Sequence, residues 1–289
     1  MPGNVQQGKV QIMKRGQFSN SRKILVGVGL LALLDGSAGV AAEPAPAAVA
    51  AFNSYIGAVE TRLAEQHRSA DNFLAPENSA QLRQGELVVE EMTPASGKDL
   101  PGALLHHWRG TAFIAGANAS DFERTMKDFG SYPRFFSPQV VRVRVLARDG
   151  DHFDVTMRVR QKHIITVVMD TAYDVTFGRG GSAEGNFGGP GAQCGYSISR
   201  STHIAEIDSP GSAHERALGP NEAHGFLWRQ NIYWSYEEQD GGLFVQIESV
   251  TLTRSIPVGL GWAIEPFVES VPRESLEFTL RAARDVLRR

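Results

Sequence analysis

Between residues 140 and 160 apolar and polar side chains alternate. Val141, Val143 and Val145 are separated by Arg142 and Arg144, and Phe153, Val155, Met157 and Val159 by Asp154, Thr156 and Arg158. A period of two is that of a strand with one face in a core. The Arg-Asp-Gly-Asp between the two runs supplies a turn, so the stretch predicts a β-hairpin. ALLHHWRGTAFI ahead of it is strand-like. So are IITVVMDTAYDVTFG, GYSISRSTHIAEID, HGFLWRQNIYWSYEEQDG and GLFVQIESVTLTRSI behind it, with EEQDGG as the last hairpin turn. The expectation is about seven antiparallel strands. One helical break follows the first strand: in ASDFERTMKDFGSYPRFFS, Ser120 and Glu123 have capping-box spacing, and Pro133 should stop the helix.

Two segments change to a helical period. Leu276, Leu280, Ala283 and Leu287 form one stripe, widened by Phe278 and Ala282. With Pro272 suited to a first turn, this predicts a helix over 271–287. Near the other end, Val49, Phe52, Ile56, Val59 and Leu63 predict an amphipathic helix over 46–67, entered from the linker-like AEPAPAAVAA. GELVVEEMTP reads as a short strand. A single terminal helix laid on a curved antiparallel sheet covers one face without filling it. The remaining space is either packed side chains or a ligand cavity.

The first 42 residues stand apart. Lys9, Lys14, Arg15, Arg22 and Lys23 precede the apolar run ILVGVGLLALL, and Val40 and Ala42 suit a cleavage site. This is a signal-peptide pattern, with Met1 and Met13 both open as the start. It predicts export to the periplasm or cell envelope, with no stable membrane insertion after cleavage. An uncleaved N-terminal anchor is the alternative. Removing the segment takes away five cations and Asp35, moving the formal charge from −3 to −7. An acidic chain argues against nucleic acid as a partner. The organisation expected is a signal peptide over 1–42, a linker and helix over 43–101, and one domain over 102–289. Oligomeric state is open.

Chemical motifs are sparse. Cys194 is the single cysteine, so no internal disulfide forms. GRGGSAEG, from Gly178 to Gly185, follows a strand but opens no helix, and reads as a hairpin connection rather than a phosphate loop. His106 and His107 are neighbours on a strand and point to opposite faces. No metal-ligand spacing, nucleophile elbow or cofactor motif is present. The sharper signal is charge inside apolar strands. Arg229, Asn231 and Tyr233 share one strand face, and Glu248, Val250 and Leu252 share a face of the next strand. Arg229 and Glu248 are either a cross-strand pair on a solvated face or a polar clamp inside a pocket. Because both strand faces carry large apolar residues, the sequence leaves open which one points inward.

The order of a strand, a helical break, six strands and a long C-terminal helix resembles the helix-grip START and birch-pollen-allergen superfamily, which includes bacterial polyketide cyclase-like proteins. The stretch from HGFLWRQNIYWSYEE through GLGW to PFVESVPRESLEFTL is similar to an exported bacterial branch. The resemblance implies an α+β helix-grip fold: a seven-stranded curved sheet wrapped on the C-terminal helix, here with an extra N-terminal helix. It also implies a hydrophobic small molecule or lipid held between sheet and helix. The contacts would come from Arg229, Asn231, Tyr233, Glu248, Val250 and Leu252 on the strands and from Leu276 and Leu280 on the helix. It implies no single reaction. A carrier or sensor is one expectation. A cyclase- or aromatase-like enzyme using Arg229, Tyr233, Glu248 or His203 is the other, and a filled interaction module is a third. No cofactor is expected.

Overall fold

The computed structural model describes residues 11–12, 43–69, 73–74, 76–93, 99–162, 166–180, 193–219, 222–224, 226–255 and 261–288. In chain order the strands begin with three short ones: β1 (Gln11–Ile12), β2 (Val88–Glu91) and β3 (Asp99–Leu100). β4 (Ala103–Ala115) is long, as are β5 (Val140–Asp149), β6 (His152–Lys162), β7 (Thr166–Arg179) and β8 (Cys194–Asp208). β9 (Arg216–Ala217) is short, and β10 (Arg229–Gln239) and β11 (Gly242–Arg254) complete the set. The seven long strands are those the alternation predicts, but β5 has no fully buried face: Val141 and Val145 are exposed at the sheet edge. The pattern gave no warning of β1, β3 and β9, which are two residues each and too short to show a period.

The sheet runs β1-β2-β4-β11-β10-β8-β7-β6-β5, with β3 on β4 and β9 on β8, and its pairs are antiparallel. The first long strand therefore closes against the last, which puts β11 near the centre, and its residues 242–252 are all buried. The helices are α1 (Pro46–Arg68), α2 (Ser79–Arg83), α3 (Ala119–Lys127), α4 (Tyr132–Phe135) and α5 (Gly261–Leu287). α5 lies on one face of the curved sheet and α1 on the other, which makes the architecture α+β and helix-grip.

Register assigns the faces. Trp108, Ser249, Ile232, Ser199, Val175 and Phe153 lie opposite one another in one row across six strands, on the α5 side. The adjacent row, Arg109, Glu248, Tyr233, Ile198, Thr176 and His152, points to the α1 side. Under α5, Leu276, Leu280 and Ala283 meet Ile114, Trp234, Val245 and Ile247, joined by Phe122, Phe129, Tyr132 and Phe136 from the helical break. Under α1, Phe52, Ile56, Val59 and Leu63 meet Leu105, Trp228, Val250 and Leu252. Each such leucine or phenylalanine contributes on the order of 2 kcal/mol of burial. Both faces are thus apolar because both are covered.

Several local expectations shift. α1 covers the predicted span, but Ala48 rather than Val49 is its first buried residue. α3 is capped by Asn118, whose Oδ1 accepts from the Asp121 amide at 2.8 Å, not by Ser120. Asn is as good a cap as Ser, and its reciprocal bond to Asp121 Oδ2 is a capping-box variant two residues earlier. Pro133 stands in the first turn of α4, where its missing N–H is harmless. α5 begins ten residues before the predicted start and runs through Pro272. A proline removes one backbone donor, and Leu276, Leu280 and Ala283, buried on the turns that follow it, hold the helix against the sheet there. The predicted signal peptide lies outside the described residues except for Gln11–Ile12, which pair with Val88 and Val89. Much of the glycine-rich segment also lies outside them; its flanks are the antiparallel neighbours β7 and β8, as a hairpin connection requires.

Candidate ligand site

A cavity of about 170 Å³ separates the sheet from α5. Its walls are aromatic for identifiable reasons. The break after β4 folds back as α3 and α4 and delivers Phe129, Tyr132 and Phe136. Period two along β7 delivers Tyr173, Val175 and Phe177, and along β10 it delivers Ile232 and Trp234. The helix contributes Leu276 and Phe278. The space matches the ~150 Å³ that accommodates a small aromatic and falls below the ~300 Å³ of larger ligand pockets.

Among the described residues no Asp, Glu, Lys, Arg or His lines this cavity. Its polar groups are neutral. Tyr173 donates from its hydroxyl to Gln230 Oε1 at 2.7 Å, and Gln230 Nε2 donates to Ser249 Oγ at 3.3 Å. Ser197 and Ser199 flank them on β8. The Tyr132 hydroxyl donates to the Met126 carbonyl at 2.6 Å. Burial pushes both phenols up, so neither ionises near neutrality. The cavity can hold an apolar body and bond a polar atom; its described lining residues present no group able to trade a proton at neutral pH.

Of the residues expected to line it, Leu276 does so, and Leu280 packs beside it against Gly110. Arg229, Asn231, Tyr233, Glu248, Val250 and Leu252 do not. All six belong to the rows on the α1 side, because odd positions of β10 and even positions of β11 face away from α5. Arg229 is half-buried and donates to the Trp228 carbonyl at 2.8 Å. The cavity clamp of Arg229 and Glu248 is therefore not formed. His203 is exposed on β8 and also lies outside the cavity. The alternation breaks at the start of β10: Leu227 turns into the cavity and Trp228 packs under α1.

Glu248 instead anchors α1. It is 1% exposed, and Arg62 on α1 reaches its Oε2 at 2.5 Å, with His107 Nε2 at 2.9 Å and Arg109 Nε 3.4 Å from Oε1. Tyr55 and His107 Nδ1 are hydrogen-bonded at 2.9 Å. Burial alone would raise the carboxyl; the His107 bond and the charges of Arg62 and Arg109 outweigh it and hold Glu248 at about 2. A second pair runs the other way: Glu60 on α1 takes a two-pronged bond from Arg200 and accepts from the Tyr233 hydroxyl. His106 and His107 do point to opposite faces, by their register.

Sequence reasoning missed the cavity's own polar groups, Gln230, Ser197, Ser199 and Ser249. The available signal was small or neutral polar residues at alternate positions beside aromatic ones. For a metal, His152, Asp154 and Asp174 are the one group among the described residues able to offer three ligand atoms within 4.8 Å of one another. They sit on the α1-side surface of β6 and β7, half-exposed, and His152 already bonds Asp174 at 2.9 Å. Among the described residues no helix is long and apolar enough to cross a membrane.

No protein-family model matches the chain, and no curated protein matches its sequence. Solved structures do match its fold. A STAR-related lipid transfer protein from Xanthomonas axonopodis is 16% identical, with a TM-score of 0.42 over 71% of this chain and 93% of that one. The Zhui aromatase/cyclase from Streptomyces sp. R1128 is 13% identical, with a TM-score of 0.42 over 64% of this chain and 94% of that one. Human STARD10 is 8% identical, with a TM-score of 0.43 over 68% of this chain and 69% of that one. Each is a protein to which this chain is similar in backbone fold.

Proposed function

We propose that this protein is a binding protein for a neutral hydrophobic small molecule, lipid-like or aromatic, held between the sheet and α5. The observation that carries the proposal is the cavity itself: aromatic walls, a short neutral polar strip and no charged side chain among the described lining residues. An apolar guest gains burial there, whereas an ion loses hydration without a partner. A cyclase-like role would call for an acid and a base beside the guest, and the four residues suggested for it lie elsewhere. The basic leader and short apolar run support export, so the proposed setting is the periplasm or cell envelope. The acidic charge disfavours nucleic acid.

Native mass spectrometry and solvent extraction of the protein purified from an envelope fraction test the proposal. The expected result is a co-purifying neutral apolar molecule, or uptake of one by the extracted protein. A protein that is empty after purification and takes up no apolar compound overturns it. Recovery only from the cytoplasmic fraction, with residues 24–34 intact, overturns the export part alone.

A further inference from the structure

We infer that the ligand presents an uncharged carbonyl oxygen to the Gln230–Ser249 strip. The inference rests on the proposed binding function and deepens it. The Tyr173 hydroxyl bond occupies the acceptor end of the Gln230 amide, so Nε2 faces Ser249. Ser249 Oγ takes one N–H from that nitrogen, which leaves its own O–H to donate. The second N–H of Gln230 has no protein acceptor among the described residues, and neither have the hydroxyls of Ser197 and Ser199. All four residues line the cavity. Gln230 is pinned from the backbone side as well, since its amide N–H donates to Ser201 Oγ at 2.9 Å. The strip therefore offers donors, in a fixed direction, from a floor walled by Trp234 and Phe278.

Three ligand chemistries answer such a strip differently. A pure hydrocarbon covers the donors and leaves them unpaired, which is penalised. A carboxylate accepts the bonds but enters a site without a described cation, and must lose its hydration. A ketone, ester or amide oxygen accepts them without a charge. A site built to bond a polar atom discriminates strongly against the analogue lacking it. The class selected is thus a compact, ring-sized neutral carbonyl compound.

Indanone and indane separate these cases, because they share one compact ring frame and differ by a carbonyl in place of a methylene. Indane carboxylate adds the charged case. Titration calorimetry on the purified full chain should show indanone binding about tenfold or more tighter than indane, with the carboxylate weakest. Gln230→Leu and, as a smaller change, Ser249→Ala should each bring indanone to within about threefold of indane while leaving indane's affinity in place. Equal binding of indanone and indane, tightest binding of the carboxylate, or a preference that survives both substitutions overturns the carbonyl inference and leaves the apolar cavity standing. Binding of none of the three overturns the binding function on which it rests.

Discussion

Gly110 and Leu280 meet where the sheet touches the terminal helix: a Cβ on Gly110 would lie 2.7 Å from Leu280 Cδ1. Leu280 is wholly buried, so that methyl has no solvent to swing into. Gly110→Ala should destabilise by about 1–3 kcal/mol through overpacking, and Leu280→Ala by about 2–5 kcal/mol through the void it leaves. In the double variant the added methyl enters space the leucine has vacated. Its loss should fall short of the sum of the two single losses. Denaturant unfolding of the four proteins checks this, and strict additivity would mean that α5 does not seat on β4 at this point. Leu280→Asp, which buries an unpaired charge, should abolish the folded state.

The ion pairs under α1 predict an asymmetry. Glu248 is 1% exposed while Arg62 is 40% exposed. Removing Glu248 with Glu248→Ala leaves His107 and Arg109 facing each other without their anion, and should destabilise by about 3–5 kcal/mol. Arg62→Ala leaves Glu248 with two partners and should destabilise by about 1 kcal/mol. Thermal unfolding of the two variants measures the difference. Equal effects would place Glu248 outside the anchor.

The long strands and both amphipathic helices were legible because each repeats one period over many residues. The distribution of side chains between the two faces was not. Val250 and Leu252 look as fit for a ligand cavity as Ile247 does, because a helix covers each face and apolar residues serve both. Only the packing partner distinguishes them: α1, more than a hundred residues away in sequence, for one face, and α5 together with the α3–α4 break for the other. The same ambiguity misdirected Arg229 and Glu248. A charge in an apolar strand signals burial with a partner, and for Glu248 the signal was sound; the partner was Arg62 under α1, not a ligand. Pro272 hid the first half of α5 because its local penalty is real but smaller than what a buried stripe returns.

His67 makes stability depend on pH. It is 6% exposed, stacked on Tyr196 at 4.1 Å and hydrogen-bonded to Ser235 at 2.8 Å. Burial pushes its imidazole from 6.5 down to about 4. Between those values the unfolded chain binds the proton and the folded one does not, so stability rises with pH across the window and is lost as pH falls from 6.5 toward 4. The contribution is at most roughly 3 kcal/mol. His152 acts in the opposite sense: its bond to Asp174 raises its pKa, so its contribution is present at low pH and fades as pH rises. His67→Gln keeps a bond to Ser235 without titrating. Urea midpoints of wild type and variant from pH 7 to pH 4 should converge as the pH falls, and parallel curves would contradict the assignment.

The placement of Arg229 gives the clearest test of which face takes the ligand. Arg229 stands on the α1 side of β10, and Ile232, three residues along the same strand, stands on the cavity side. Arg229→Met removes a charge that no cavity ligand meets. Indanone affinity should stay within about twofold of wild type, the range of a residue that makes no contact. Ile232→Trp puts a larger ring into the cavity beside Ser199 and Ser249, the two residues directly opposite it. It should displace the ligand and lower affinity by about tenfold or more, since the guest and the new side chain compete for the same volume. A thermal melt of each variant shows whether the fold has survived. If Arg229→Met weakens binding and Ile232→Trp leaves it intact, the ligand lies under α1 and not between the sheet and α5, and the neutral strip of Gln230 and Ser249 has no part in holding it.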